Sequence, residues 1–541
     1  MMFQFKSIKT KIITSSAILL SAVTLNAHSA TATYDPASGL VDMPVVEVLS
    51  GGTSAFYHAK LQVVGNALQL VSAEPIAAVT GQRNVYDGDT NSVHVQSVTV
   101  GADDFYVKLK YVPGSNPMTF NIDQLANNAF TTCPSFAQPG ATQGSCALSG
   151  TITSNVTLTK NIEWILDKAV FIGGKNNTSP ATLTINPGTK IVGVGGQGDQ
   201  AAYLWIRRGS KIMAEGTPDN PIIMTGPSEA AAGEWGGFLI SGNAPVNGCN
   251  DGVPVCEVQF EAVNTETFGG NNPTDNSGVM KYVQIRYAGT PVRQDEELNG
   301  LTLNGVGSGT LIDHVQVHEG LDDGIEVFGG TVQMKHLVIT NAQDDSLDWT
   351  QGWKGKAQFV LIKQHPDVGD RGIEADNNEK NNDSTPRSQP ILSNLTILGR
   401  GGQSATQSVL LRRGTGANIW NSVFVGSPVC LMIDSPATFI NAGNPGSLTG
   451  SLTIQNSYVN CAANYKDGKD ATFTTENWFT SQSANVAGDP LLSGYLPAAG
   501  SPLTLGGAAV SDPFFSVVDY IGAFKDQNND WTKEWTAPNS L

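Results

Sequence analysis

The chain has 541 residues, with 59 glycines, 27 prolines, only 15 % charged residues and a formal net charge of −17. That balance disfavours a helical protein and suits short strands joined by frequent corners. An acidic surface repels phosphate, which excludes non-specific nucleic-acid binding and makes anionic lipid headgroups poor partners.

In chain order, residues 1–32 have the form of a secretory signal. Lys6, Lys9 and Lys11 precede the apolar stretch "IITSSAILLSAVTL", and Ala30-Thr31-Ala32 supplies the small-x-small cleavage pattern. The stretch is short for a membrane span, which needs about 20 apolar residues, and no later segment meets that length. The expectation is a chain that is secreted, displayed at the cell surface or held in the periplasm. It has no membrane span after signal removal.

Residues 33–130 contain an internal duplication. "YDPASGLVDMPVVEV" from Tyr34 resembles "YDGDTNSVHVQSVTV" from Tyr86, and "FYHAKLQV" from Phe56 resembles "FYVKLKYV" from Phe105. Alternation at Val107, Leu109 and Tyr111 predicts one buried face of an antiparallel strand. The segment reads as a small β-sheet module, either an end cap or a small binding domain.

Residues 131–148 read as a linker. From 149 to 510, short Val/Ile/Leu/Thr strands alternate with Gly, Asn and Pro corners, as in a solenoid. Val283, Val315, Leu337, Val360, Leu395, Val423 and Tyr458 occupy equivalent places in similar strands. The shortest intervals, from Val315 to Leu337 and on to Val360, mark bare coils, and the longer ones mark coils with inserted loops. Residues 511–541 hold Phe514, Phe515, Tyr520, Phe524, Trp531 and Trp535 and are expected to cap the last coil. The six cysteines suit an oxidising compartment, with local pairs Cys133–Cys146, Cys249–Cys256 and Cys430–Cys461.

The strongest cluster of chemistry lies on one repeated edge. Asp323 and Glu326 recur one bare coil later as Asp345 and Asp348. Asp370, Glu374 and Asp376 follow on the next coil, with Asn299 on the preceding one. Stacked like charges destabilise a sheet and need compensation. Three sources are open: a hard cation such as Ca²⁺, a base such as Arg371 or Lys335, or hydrogen bonds to backbone at the corners. The candidate cation ligands are Asp323, Glu326, Asp345, Asp348 and Asp370. No organic cofactor is indicated.

As catalytic groups the candidates are Asp323, Asp345 and Asp348, since glycoside hydrolysis uses a carboxylate pair. Trp349 and Trp353 would stack on a sugar, and Arg371 would bind substrate or take a proton in a lyase. His314 and His336, also one bare coil apart, are expected to stack rather than to bind zinc. Arg207, Arg208, Arg412 and Arg413 read as surface cation–π groups.

The phrases "ATLTINPGTKIVG", "GSKIMAEGTPDNPIIMTG", "GEWGGFLISGNAP" and "LDDGIEVFGGTVQMKHLVITNAQDDSLDWTQGWKG" resemble segments of secreted bacterial right-handed parallel β-helix proteins. The resemblance spans residues 150–525 and implies export and a fold similar to that of pectate lyases. The expected molecule is all-β: a right-handed parallel β-helix with a small N-terminal β-sheet module. Its expected role is to present a rigid face to an extracellular glycan or another surface component. Polysaccharide hydrolysis or lysis and a purely structural role are the alternatives.

Overall fold

The computed structural model describes residues 32–541 except 51–52, 79–83, 89, 101–102, 128–132, 141–143, 250–252, 294–295 and 402–405. Apart from Ala32, the expected signal segment lies outside the described residues. The chain divides into two units, residues 1–125 and 126–541.

In the first unit the duplication becomes a repeated sheet. Strands Leu40–Ser50 and Ser92–Val100 each break register at a bulge, between Met43 and Val46 and between Val95 and Val98. The two bulges fall at equivalent places in the repeated sequences. A bulge adds a residue to one strand and sharpens its twist. The halves join through parallel pairing of Ala32–Asp35 with Ser92–Val100 and of Leu40–Ser50 with Asn84–Asp87. Val41, Met43, Leu61, Val93, Leu109 and Phe120 fill the interior. Leu109 is fully inside, while Val107 and Tyr111 are only partly buried against it.

The second unit is a parallel β-helix whose ladder begins with strand Ser145–Ile152. Val283, Val315, Leu337, Val360 and Leu395 stand opposite one another in successive strands. The expected series then slips by one residue, because Val423 pairs with Thr396 rather than Leu395. The Ser422 hydroxyl accepts the Leu395 N–H at the corner, which offsets the next strand. Val423 and Tyr458 pair again. The row from Val283 to Leu395 is interior and apolar, as alternation requires when one strand face turns to a common core, whereas the slip turns Val423 to a flank cluster with Leu503 and Ile521.

One corner of successive coils uses the left-handed conformation. Tyr282, His314, His336, Phe359, Asn394, Asn421 and Asn456 have φ between 49° and 61°. The first four stack ring on ring, at 4.4 Å, 4.2 Å and 5.0 Å between centroids. The last three are asparagines, which tolerate this conformation because their short amide bonds locally.

The aromatic tail does not cap the last coil. Short helix Thr475–Thr480 fills that place, with Thr474 capping its N-terminus and Trp478 and Phe479 buried in the core. The tail runs back along the flank, held by outward amide side chains. Asn456 donates to the Gly506 carbonyl at 3.1 Å, and Asn394 to that of Tyr520 at 3.1 Å. Gln358 exchanges two 2.8 Å bonds with the Ser516 backbone. Gln316 accepts from Ala537 N–H at 2.6 Å and donates to the Ser540 hydroxyl at 2.9 Å. Phe524 and Trp535 bury against Val338 and Leu361. A polar flank with amides at coil spacing is thus a better surface for an irregular peptide than the end of the helix.

Asn421 both donates to the Ala508 carbonyl at 2.9 Å and accepts its N–H at 2.8 Å. Asn421→Ala is expected to cost about 1–3 kcal/mol, because the Ala508 backbone and the buried Ser393 hydroxyl both lose its amide. Asn421→Gly keeps the corner conformation while removing the same bonds. Urea unfolding of both variants checks this. If the glycine variant were as stable as wild type, the amide bonds would contribute nothing.

Six cysteines form Cys133–Cys146, Cys249–Cys256 and Cys430–Cys461. No helix among the described residues is long and apolar enough to cross a membrane.

Candidate functional site: an acidic row with an arginine edge

Strands Leu301–Asn304, Ile325–Phe328, Leu347–Thr350 and Ile373–Ala375 form successive rungs of one sheet. Their alternate residues Leu301, Ile325, Leu347 and Ile373 enter the core. The intervening positions face outward and align as Thr302, Glu326, Asp348 and Glu374. Before each strand, corner residues Asn299, Asp323, Asp345 and Arg371 form a second row, tied by backbone bonds such as Gly324 N–H to the Asp345 carbonyl at 2.9 Å.

The same alternation sends Trp349 inward. Trp349 and Trp353 are 0 % exposed, pack edge to face at 5.6 Å, and bond through their indole N–H to the Thr415 hydroxyl and the Val332 carbonyl. Neither can meet a sugar, which corrects their assignment as substrate-stacking residues. They are core.

Two of the three compensations serve different parts of the cluster. Backbone bonds take the corner aspartates: Asp323 accepts from Asp345 N–H at 2.9 Å, and Asp345 from Arg371 N–H at 2.6 Å. These two carboxylates stitch one coil to the next. That role, with their burial, argues against them as catalytic groups. Arginines take the C-terminal part. Arg371 reaches Glu374 at 2.8 Å and Asp345 at 3.6 Å, and also pairs with Asp370. Arg412 holds Asp376 at 2.9 Å and pairs with Glu374, while Arg413 holds Asp376 at 2.9 Å.

Arg412 and Arg413 are therefore ion-pair partners of the acidic row and not isolated surface cations. Arg207 is likewise paired with Glu266 at 2.7 Å, and it lies 3.9 Å over the Phe171 ring. Lys335 serves the opposite purpose to the one expected, because it bonds to Ser516 on the tail at 3.0 Å.

In the N-terminal part Asp323, Glu326 and Asp348 have no cationic partner among the described residues. Glu326 accepts one 2.6 Å bond from Asn299. Oδ1 of Asn299 and Oδ1 of Asp348 are buried without a hydrogen-bond partner. Asp323, Glu326 and Asp348 each offer an oxygen within 4.8 Å of the others. Burial first, and neighbouring carboxylates second, push all three well above the usual carboxylate range. Asp345 is raised in the same way, and Asp322 is pushed up to about 7 by burial and by Asp344.

The five carboxylates Asp323, Glu326, Asp345, Asp348 and Asp370 do not converge on one point. Asp345 and Asp348 approach Glu374, whereas Asp370 groups with Asp344 and Asp345. The reason is register. The coil before Asp370 is longer than a bare one, so Asp348 faces Glu374 and the position after Asp345 in the corner row falls to Arg371. An arginine thus stands where an unbroken row would have put a third aspartate.

Beside the arginine edge lies a groove of about 440 Å³ lined by Asp370, Arg371, Arg400, Gln407, Arg412 and Lys466. Arg371 and Arg412 belong to both features. Lys466 is exposed and makes no ion pair among the described residues.

Parallel strands stacked coil upon coil in this way define a parallel β-helix. The profile of the pectate-lyase-like β-helix domain matches residues 150–497, and the chain belongs to that family. Among solved structures, tailspike protein 2 from Escherichia coli O157:H7 bacteriophage CAB120 aligns at 10 % identity with a TM-score of 0.22. The alignment covers 75 % of this chain and 63 % of the tailspike, so this chain spans less than two thirds of that protein's length. No curated protein matches.

Proposed function

We propose that this protein is an exported β-helix that binds an extracellular glycan carrying carboxylate groups, with a calcium ion held on the same face. The groove beside the acidic row carries the reading: Arg371, Arg400, Arg412 and Lys466 line one opening of about 440 Å³. Arginine forks match carboxylates in two-point hydrogen bonds. Three disulfides support an oxidising, extracellular setting.

The calcium ligands we assign are Asp323, Glu326, Asp348 and Asn299 Oδ1. Hard cations take about six to eight oxygens, so four side chains leave positions for water and a ligand oxygen. The free oxygens of Asn299 and Asp348 support this assignment. Asp370 belongs to the arginine edge and is left out.

Titration calorimetry of the mature chain with calcium is expected to show binding that Asp348→Asn weakens by about tenfold or more. Equal affinity in the variant would remove this site. A glycan array is expected to retain uronic-acid-bearing glycans over neutral ones, with retention lost in Lys466→Glu. A chain that retained no glycan would end the binding reading.

A second reading is hydrolysis through Asp348 and Glu374, whose oxygens lie within 4.8 Å. So near a pair suits retention, with carboxyls about 5–5.5 Å apart, rather than inversion, which needs about 6.5–9.5 Å. Appearance of new reducing ends, abolished by Glu374→Gln, would favour it.

A further inference from the structure

On the flank away from the acidic row, His314 and His336 stack at 4.2 Å between centroids, sandwiched by Tyr282 and Phe359. Both imidazoles aim Nδ1 at one oxygen, Asp313 Oδ1, at 2.9 Å and 2.7 Å. The C-terminal tail covers the pair. Trp531 stands edge-on to His336 at 5.1 Å and to His314 at 6.1 Å, and Trp535 stands edge-on to His314 at 5.6 Å. The side chains are 13 % and 22 % exposed, so water and protons reach a site that is mostly closed.

We propose that the His314–His336 stack is an acid-sensitive latch that holds the C-terminal tail on the β-helix at neutral pH and releases it on acidification. One carboxylate balances one imidazolium. A second proton would put two cations at stacking distance with a single counter-charge between them. The other charged groups nearby add to that surplus. Lys335 precedes His336 on the same strand, and Lys281 lies 5.6 Å from the Tyr282 ring. From the tail, the two tryptophans face the stack, while Lys533 and Glu534 between them are exposed and oppose each other in sign. Asp313 is the acid that His336 hydrogen-bonds and that lies 2.9 Å from His314 Nδ1. Burial raises its pKa, but the two histidines beside it outweigh that and hold it below the usual carboxylate range.

The direction follows from linkage. Burial depresses the His336 pKa in the closed state below its value in water. The open state therefore binds more protons than the closed one, and falling pH favours opening. The latch holds above the solution pKa of histidine, about 6.5, and weakens as pH falls below it. Release strips Trp535 and Phe524 from Val338 and Leu361 and frees the Gln316 amide. It does not depend on the glycan reading, since none of these residues belongs to the acidic row or the groove.

The test uses hydrogen exchange on the whole chain, with rates corrected for their intrinsic pH dependence. Amides of residues 531–541 are expected to lose about tenfold protection between about pH 7.5 and about pH 5, while those of strand Gln333–Thr340 stay protected. The variants are His314→Asn and His336→Asn, singly and together. Asparagine already occupies this corner at positions 394, 421 and 456 with the same positive φ, so the backbone accepts it. The double variant is expected to keep its tail protection constant across the range. Protection in wild type that does not change with pH would overturn the latch. So would an identical loss in the double variant, because the sensing group would then lie elsewhere. Should the double variant fail to fold, His336→Asn alone is expected to shift the transition, and an unshifted transition would also overturn the proposal.

Discussion

Trp349→Ala is expected to lower the unfolding free energy by about 3–5 kcal/mol, the range for truncating a fully buried aromatic. Trp349 lies wholly inside the coil, edge-on to Trp353, with its indole N–H on the Thr415 hydroxyl. Removing the ring leaves a cavity beside Trp353 and takes one bond from the Thr415 hydroxyl, which still donates to the Gly416 carbonyl. Glycan retention by the folded fraction is expected to be unchanged. Denaturant unfolding measures the first quantity, and retention per mole of folded protein measures the second. The opposite pattern, intact stability with lost retention, would mean that the indole reaches the ligand after all. Trp353→Ala should behave in the same way, because its N–H bonds the buried Val332 carbonyl.

The second large effect falls on Arg371. Replacing it by methionine keeps most of the volume but removes the cation that Asp345, Asp370 and Glu374 share. Breaking a buried pair from one side costs about 3–5 kcal/mol, because the remaining charge has no partner. Arg412 still balances part of the Glu374 charge, and Asp345 keeps its bond from the Arg371 backbone N–H, so Asp345 and Glu374 share the loss. A double-mutant cycle with Glu374→Gln apportions it. The Glu374 change is expected to recover part of the loss in the Arg371→Met background and to destabilise the wild-type chain. If the two substitutions simply added, Arg371 and Glu374 would not be coupled. Lys466→Glu, at an exposed position without an ion pair, is expected to move stability by no more than about 0.5 kcal/mol. That contrast separates an arginine that holds the fold as well as lining the groove from a lysine that lines the groove alone.

Much of the fold was legible because its period is short. Glu326 and Asp348 stand opposite each other, as the bare-coil spacing requires. The alternation that turned them outward also required Trp349 to turn inward, so the sequence contained the signal against a sugar-stacking tryptophan. Two other features were hidden by inserted residues. The longer coil before Arg371 moved Asp370 off the row, and a loop between Asp376 and Arg412 concealed their pairing. The irregular tail has no periodicity to read. Its contacts are single amides meeting single backbone groups more than a hundred positions away, as between Asn394 and Tyr520. The unpartnered oxygens of Asn299 and Asp348 emerge only once their coils are stacked.

The tail that runs back along the flank also bears on the order in which the molecule is completed. Contacts between adjacent coils close over short stretches of chain, so the β-helix can lengthen rung by rung as chain becomes available. The Gln284 amide, in contrast, bonds the Trp535 carbonyl across 251 residues. Contacts of such span close late, because the intervening chain must first be ordered. A half-emerged chain would therefore have built its early coils but would still display their bare glutamines and the Val338–Leu361 surface. The tail residues that bond Gln284 and Gln316 therefore cover the early coils only after the intervening ones are ordered.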